Sequence, residues 1–227
     1  MDNEKNIENI SENEVNKSGK RSSFMEEVIS WVKTIVLALI LAYFITHFII
    51  VNAVVPSGSM ETTVMTNDRL IANRLSYTFS NPERYDIVVF KYPDDESTLY
   101  IKRIIGMPGE TITIKDGNVY VDGQEAPLEN SFVNGEMLTD LYRGYPMTFK
   151  VPSKGDSILG CIGVADPQLY DKDGDDKFDE DCYFMMGDNR NKSSDSRYWA
   201  NKYLAESKIE GKALFRYWPL NSMGFIG

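Results

Sequence analysis

From Ile35 to Val55 no side chain carries a formal charge when His47 is neutral. Wound as a helix at about 1.5 Å per residue, that run reaches roughly 30 Å, the thickness of a bilayer's hydrocarbon core. The surrounding stretch, EEVISWVKTIVLALILAYFITHFIIVNAVV, is apolar on every helical face, which suits lipid better than one buried seam of a soluble core. Trp31 and Lys33 stand at its leading edge, where interfacial anchors belong. A cleaved secretory signal is the competing reading. Val51-Asn52-Ala53 has the small-residue look of a cleavage site, but the apolar run and the region before it are longer than such signals need. The sequence therefore predicts a transmembrane helix over 25–55, a disordered polar tail over 1–24 and a folded domain over 56–227. The tail is rich in Asn, Glu, Lys and Ser, and has too little apolar surface to offset the entropy of ordering it. Lys17, Lys20, Arg21 and Lys33 precede the span, whereas the first basic residue after it is Arg69. This asymmetry puts the N-terminus in the cytoplasm and the domain on the far face of a single-pass protein.

Composition removes several classes of function. The net charge of −10 argues against nucleic-acid binding, which needs clustered Lys and Arg. A single histidine, His47, lies inside the apolar run, so a His-dependent triad has no candidate base and His47 reads as a membrane or interfacial residue. Two cysteines, Cys161 and Cys182, are too few for a disulfide-dense scaffold and match no zinc spacing.

The part after the span reads as mostly β. Short β-branched and aromatic runs recur (DIVVFKY, STLYIKRIIG, ETITI, NVYVDG, MTFKVP, CYFMMG, KALFRYW), separated by turn residues. Asp116-Gly117 between two alternating runs, Thr111–Ile114 and Val119–Val121, predicts a tight hairpin. A weak helical pattern shows near Ala200–Ser207.

Three segments carry chemistry. Directly after the span, Pro56-Ser57-Gly58-Ser59-Met60 is a small glycine-containing loop that can expose a hydroxyl beside free N–H groups. In Tyr100-Ile101-Lys102-Arg103-Ile104-Ile105, strand alternation puts Lys102 on one face with Tyr100 and Ile104. A lysine buried there loses hydration, its pKa falls, and the neutral amine can take a proton from a serine. Alone, such a lysine equally suits an edge strand, with its head in water. The third segment, Met186-Gly187-Asp188-Asn189-Arg190-Asn191-Lys192-Ser193-Ser194-Asp195-Ser196-Arg197-Tyr198-Trp199, follows an apolar strand and is dense in hydrogen-bonding groups. Asp195 and Arg197 there have the spacing to pair.

Together, the span, the PSGSM box, RYDIVVFKYP, YIKRIIGMPGE, GDNRNKSSDSRYW and KALFRYWPL resemble the bacterial type I signal peptidases in order and spacing. That resemblance implies a transmembrane anchor followed by an antiparallel β-sheet Ser/Lys protease domain with a secondary β subdomain inserted over roughly 111–180. It implies that the chain cleaves signal peptides from exported preproteins, lies in the lipid bilayer of the cell membrane and uses no cofactor. Residue by residue, it implies Ser59 as nucleophile and Lys102 as general base. Ser57 and the Ser59 N–H become oxyanion donors, Ser193 orients the amine, and Asp195 and Arg197, with Arg103, support the site. It also implies a preference for small side chains just before the cut and two residues upstream. Thr62 stands where the family usually has Pro, and Ala200 where it usually has Gly. Two other readings are a self-cleaving Ser/Lys repressor-type protease, which needs a helix-turn-helix where this chain has its span, and a non-catalytic membrane-anchored binding module.

The binding-module reading draws on an acidic loop, Asp171-Lys172-Asp173-Gly174-Asp175-Asp176-Lys177-Phe178-Asp179-Glu180-Asp181. Asp171, Asp173, Asp175 and Asp179 form a weak calcium candidate, since calcium loops use closely spaced carboxylates and a glycine. The match to an EF-hand is partial: Gly174 falls at position four and Cys182 at position twelve. A solvated acidic loop with no metal is the plainer reading. Cys161 and Cys182 bracket the loop and are consistent with either a disulfide or two free thiols.

Overall fold

The computed structural model describes residues 24–124, 127–129, 131, 133, 137 and 146–226. The tail expected to be disordered, 1–24, lies outside the described residues except for Phe24. The chain divides into two units, one ending at Phe48 and one spanning Ile49–Gly227. Among the described residues one helix, α1 (Phe24–Ile49), is long and apolar enough to cross a membrane. Its consecutive Leu37-Ala38-Leu39-Ile40-Leu41 places apolar side chains at every angular step.

The helix stops short of the predicted end at 55. Ile50–Val54 is instead a strand, β1, paired antiparallel with β2 (Arg69–Asn73) from Ile50↔Asn73 to Val54↔Arg69. The domain thus starts several residues earlier than 56. The reason is chemical: lipid and a protein core both select apolar residues, so composition runs smoothly across the boundary. Ile49, Ile50, Val51, Val54 and Val55 are β-branched, which favours a strand once a partner edge is available. Val51 and Val55 are buried beside Leu70, Ala72 and Ala213 in one of three core clusters.

The main sheet is antiparallel, in the order β1-β2-β10-β3-β4-β8-β9. Its further strands are β3 (Ile87–Tyr92), β4 (Asp95–Gly106), β8 (Cys182–Met186), β9 (Tyr203–Ala205) and β10 (Ile209–Trp218). The two-residue β11 (Gly224–Phe225) pairs with β10. Strand β4 is central and changes character along its length. Its first half is largely exposed, while Ile101–Gly106 is buried throughout. Lys102 sits in this buried half, opposite Val88 of β3. The apolar runs singled out in the sequence all form strands. The weak helix near Ala200–Ser207 does not form. Tyr203, Leu204 and Ala205 are buried and pair with β8 as its outer neighbour, followed by a single 3-10 turn at Glu206–Lys208. Three residues buried on both faces give no period to read, so the free edge of β8 decides.

The predicted hairpin is present. β5 (Thr111–Lys115) pairs with β6 (Asn118–Val121) through Lys115↔Asn118. Asp116 and Gly117 both take positive φ, 50° and 75°, as the two-residue turn matching strand twist requires. β7 (Met147–Lys150) completes a second sheet, in the order β6-β5-β7. This is the secondary β element expected over 111–180, with two differences. It shares one core with the main sheet, since Ile112, Val119 and Phe149 pack with Phe184, Met186 and Tyr203. Its strands also end at Lys150. Beyond them, 151–181 carries one isolated bridge, Ser157↔Lys177, and a 3-10 turn at Pro167–Leu169.

Candidate active site

The fold brings Ser59 and Lys102 together across 43 residues of sequence. Lys102 Nζ donates to Ser59 Oγ at 2.7 Å and to its neighbour Ile101 O at 3.0 Å. Both side chains are buried; Lys102 is 4% exposed. Its position on the twice-covered half of β4 is what removes water from the amine. Burial pulls the Lys102 pKa down from 10.5 to about 8, against an upward pull from Asp195 and then Asp188. The Tyr100 ring, two residues away on the same face, lies 5.2 Å from Nζ.

Ser59 sits in a 3-10 turn, Gly58–Met60, whose preceding residue Ser57 has extended backbone. Ser57 Oγ is 3.4 Å from Ser59 Oγ on the exposed side of the loop. A cleft of about 290 Å³ opens beside the pair. It is lined by the chain from Asn52 to Ser57, by Ser59 and Val89, and by β4 from Leu99 to Lys102. A serine hydroxyl, an amine with a depressed pKa and an open cleft therefore coincide.

The GDNR segment surrounds the pair on its buried side. Asp195 and Arg197 form a doubly hydrogen-bonded ion pair, Nε to Oδ1 at 2.7 Å and Nη2 to Oδ2 at 2.8 Å, with both side chains fully buried. Asp195 also accepts the Gly187 N–H at 3.1 Å, and Arg197 Nη2 donates to Arg190 O at 2.6 Å. Arg103 makes a similar fork to Asp188, at 2.8 and 2.7 Å. Thr63 Oγ1 donates to the same carboxylate at 2.6 Å, tying the loop after the nucleophile to the GDNR segment. The departure at Thr62 therefore sits beside an anchored residue. At Ala200, only a main-chain N–H is used, donated to Asp94 Oδ2.

Ser193 is the residue the structure does not bring to its expected partner. Its hydroxyl is buried but has no hydrogen-bond partner among the described residues. It packs instead against Gly187, where an added Cβ would lie 2.3 Å from Ser193 Oγ. Sequence reasoning left Asp188 and Asn189 without roles, although both lie in the quoted GDNR box. Their partners, Arg103 for Asp188 and the Ser59 loop for Asn189, are remote in sequence.

The calcium candidates are placed as follows. Oxygens of Asp171, Asp173 and Asp179 lie within 4.8 Å of one another. Asp175 is not of this group; it pairs with Lys177 at 3.1 Å. The Asp171 carboxylate accepts the N–H groups of Gly174, Asp175 and Asp176, so the loop's own amides close it around Gly174, at φ 81°. Cys161 and Cys182 are both free thiols, and burial raises the pKa of each.

The chain matches the family described as "Signal peptidase, peptidase S26" over residues 28–218. It is 35% identical over 225 residues to a probable signal peptidase I-2 of Synechocystis sp., covering 96% of this chain and 86% of that protein. It is 33% identical over 204 residues to the signal peptidase I of Leptolyngbya laminosa, covering 86% and 82%. It is also 31% identical over 204 residues to the signal peptidase I P of Bacillus subtilis subsp. natto, covering 90% and 94%.

Proposed function

The chain belongs to the peptidase S26 signal peptidases and is a serine endopeptidase that removes signal peptides, and on that premise we propose that Ser59 is its nucleophile and Lys102 its general base. The observation that carries this assignment is the 2.7 Å contact between a buried lysine amine and a buried serine hydroxyl at the mouth of a cleft. A preprotein lies extended in that cleft with its scissile carbonyl against Ser59. Neutral Lys102 takes the Ser59 proton as Oγ bonds to the carbonyl carbon. The carbonyl electron pair moves to oxygen, where the Ser59 N–H and the Ser57 hydroxyl receive it. The lysine then hands the proton to the departing amine. In the second half, Lys102 takes a proton from water as its oxygen adds to the acyl carbon; the C–Oγ bond then breaks and the lysine returns the proton to Ser59 Oγ.

Asp195–Arg197 and Asp188–Arg103 hold the segment behind the pair. The carboxylates of Asp195 and Asp188 also pull the Lys102 pKa upward, offsetting part of the effect of its burial.

The family and α1 make this a membrane-anchored enzyme. We read α1 as a single pass, and the Lys and Arg excess before it puts the N-terminus in the cytoplasm. Tethering puts the cleft where signal peptides emerge and raises their effective concentration there. The test is cleavage of a model preprotein by purified full-length protein. Ser59→Ala and Lys102→Arg are each expected to abolish cleavage while leaving the fold intact, because arginine stays protonated and cannot serve as a base. Substantial activity in either variant refutes the pair.

A further inference from the structure

The nucleophile turn has little of its own to hold it. Ser57 makes no side-chain cap to the turn. The bonds internal to the loop are Glu61 N–H to Gly58 O at 3.3 Å and Val64 N–H to Met60 O at 2.9 Å. The firmer hold on Ser59 comes from outside, from Asn189. Its side-chain Nδ2 donates to Gly58 O at 3.0 Å, and its main-chain N–H donates to Ser59 O at 3.1 Å.

Those two carbonyls belong to the two peptide groups that flank the Ser59 Cα. A peptide unit is planar and trans, so its N–H points opposite to its C=O. Fixing Gly58 O therefore fixes the direction of the Ser59 N–H, which lies in the same plane. Fixing Ser59 O sets the plane that follows. The only soft rotations between these planes are φ and ψ of Ser59 itself. One residue thus holds the backbone of the nucleophile from both sides, with the Glu61 N–H as a second, longer bond to Gly58 O.

Asn189 is suited to this by its own surroundings. It is 5% exposed and follows Asp188, which is held by Arg103 and Thr63. One residue earlier, Gly187 lets the two segments touch: a Cβ there would fall 2.4 Å from Ser59 O. The segment from Gly187 to Asn189 is therefore seated directly on the nucleophile's backbone.

We propose that Asn189 is a positioning residue that presets the Ser59 N–H as an oxyanion donor by gripping the opposite end of the same peptide plane. This rests on the reading of Ser59 as nucleophile and oxyanion donor. A misdirected donor weakens the transition state and leaves substrate binding and the lysine base alone, so the proposal predicts a particular pattern of loss.

Two neutral variants of the full-length protein in detergent test it. Asn189→Ala removes the side-chain donor, and Asn189→Leu removes it while keeping volume. Neither adds charge near Lys102. For each, kcat is expected to fall about 100-fold or more, as for a lost oxyanion donor, with KM within about threefold of the parent. A peptide aldehyde matching the substrate before the cut adds Ser59 Oγ to its carbonyl and places an oxyanion in the same hole. Its affinity is expected to fall in step with kcat, while the cleaved product peptide binds as before. The pH at half-maximal rate is expected to stay at the parent value. An unchanged kcat, a loss confined to KM, or a moved pH midpoint overturns the proposal. So does failure of both variants to fold, which makes Asn189 a stability residue. Full activity in Ser59→Ala refutes the nucleophile assignment instead, so the two failures are distinguishable.

Discussion

Lys102 offers a prediction in which activity and stability must move in opposite directions. Its burial lowers the pKa from 10.5 to about 8. At pH 7 a pKa of about 8 leaves about one amine in eleven neutral, against about one in three thousand at 10.5, a gain of roughly 300-fold in available base. In free energy that is about 3 kcal/mol, and the folded state bears it as the penalty of holding a charged amine out of water. Below pH 8 folded and unfolded chains both carry the proton, so the penalty is present in full. Between about pH 8 and 10.5 the unfolded chain holds more protons than the folded one, so stability rises with pH; above 10.5 the penalty is gone. Lys102→Met removes the titrating group at similar length. It is expected to abolish cleavage and to be more stable than the parent at pH 7, by an amount that shrinks by about 3 kcal/mol as pH is raised to 10.5. The assay is denaturant unfolding of both full-length proteins in the same detergent across that range, so that other titrating groups cancel in the difference. In parallel, cleavage by the parent is expected to rise about tenfold between pH 7 and pH 9 and then level off. A stability difference that is flat with pH, or a rate governed by a group near 6.5 or 10.5, would refute the account of a buried, neutralised lysine.

Three further outcomes follow from the site. Ser57→Ala is expected to lower kcat by about 10²–10³ with little change in KM, measured on a peptide substrate, if its hydroxyl receives the developing oxyanion. Asp195→Ala leaves the fully buried Arg197 without its carboxylate and is expected to cost about 3–5 kcal/mol in equilibrium unfolding; a change under about 1 kcal/mol contradicts the buried-pair reading. A preprotein with a bulky side chain just before the cut, or two residues upstream, is expected to resist cleavage in a gel-shift assay, as the resemblance to the signal peptidases implies.

Local pattern made much of this protein legible from its sequence. Residue type and strand alternation placed Lys102 on a face with Tyr100, and Asp116-Gly117 fixed a hairpin because few residue pairs accept two positive φ values. The order of the boxes pointed to the family. The helix–strand boundary at Ile49 and Ile50 was not legible, since membrane and core reward the same apolar side chains and only pairing with Arg69–Asn73 separates them. The contacts that turn residues into a site were equally hidden. Ser59 meets Lys102 across 43 positions, Arg103 meets Asp188 across 85, and Asn189 reaches Gly58 across 131. The sequence determined which groups were available, because side-chain chemistry and strand period are local properties. Tertiary structure alone decided the Lys102 pKa, the burial of the Ser193 hydroxyl and the grip on the nucleophile, because desolvation and hydrogen-bond direction depend on which distant segments close around a point.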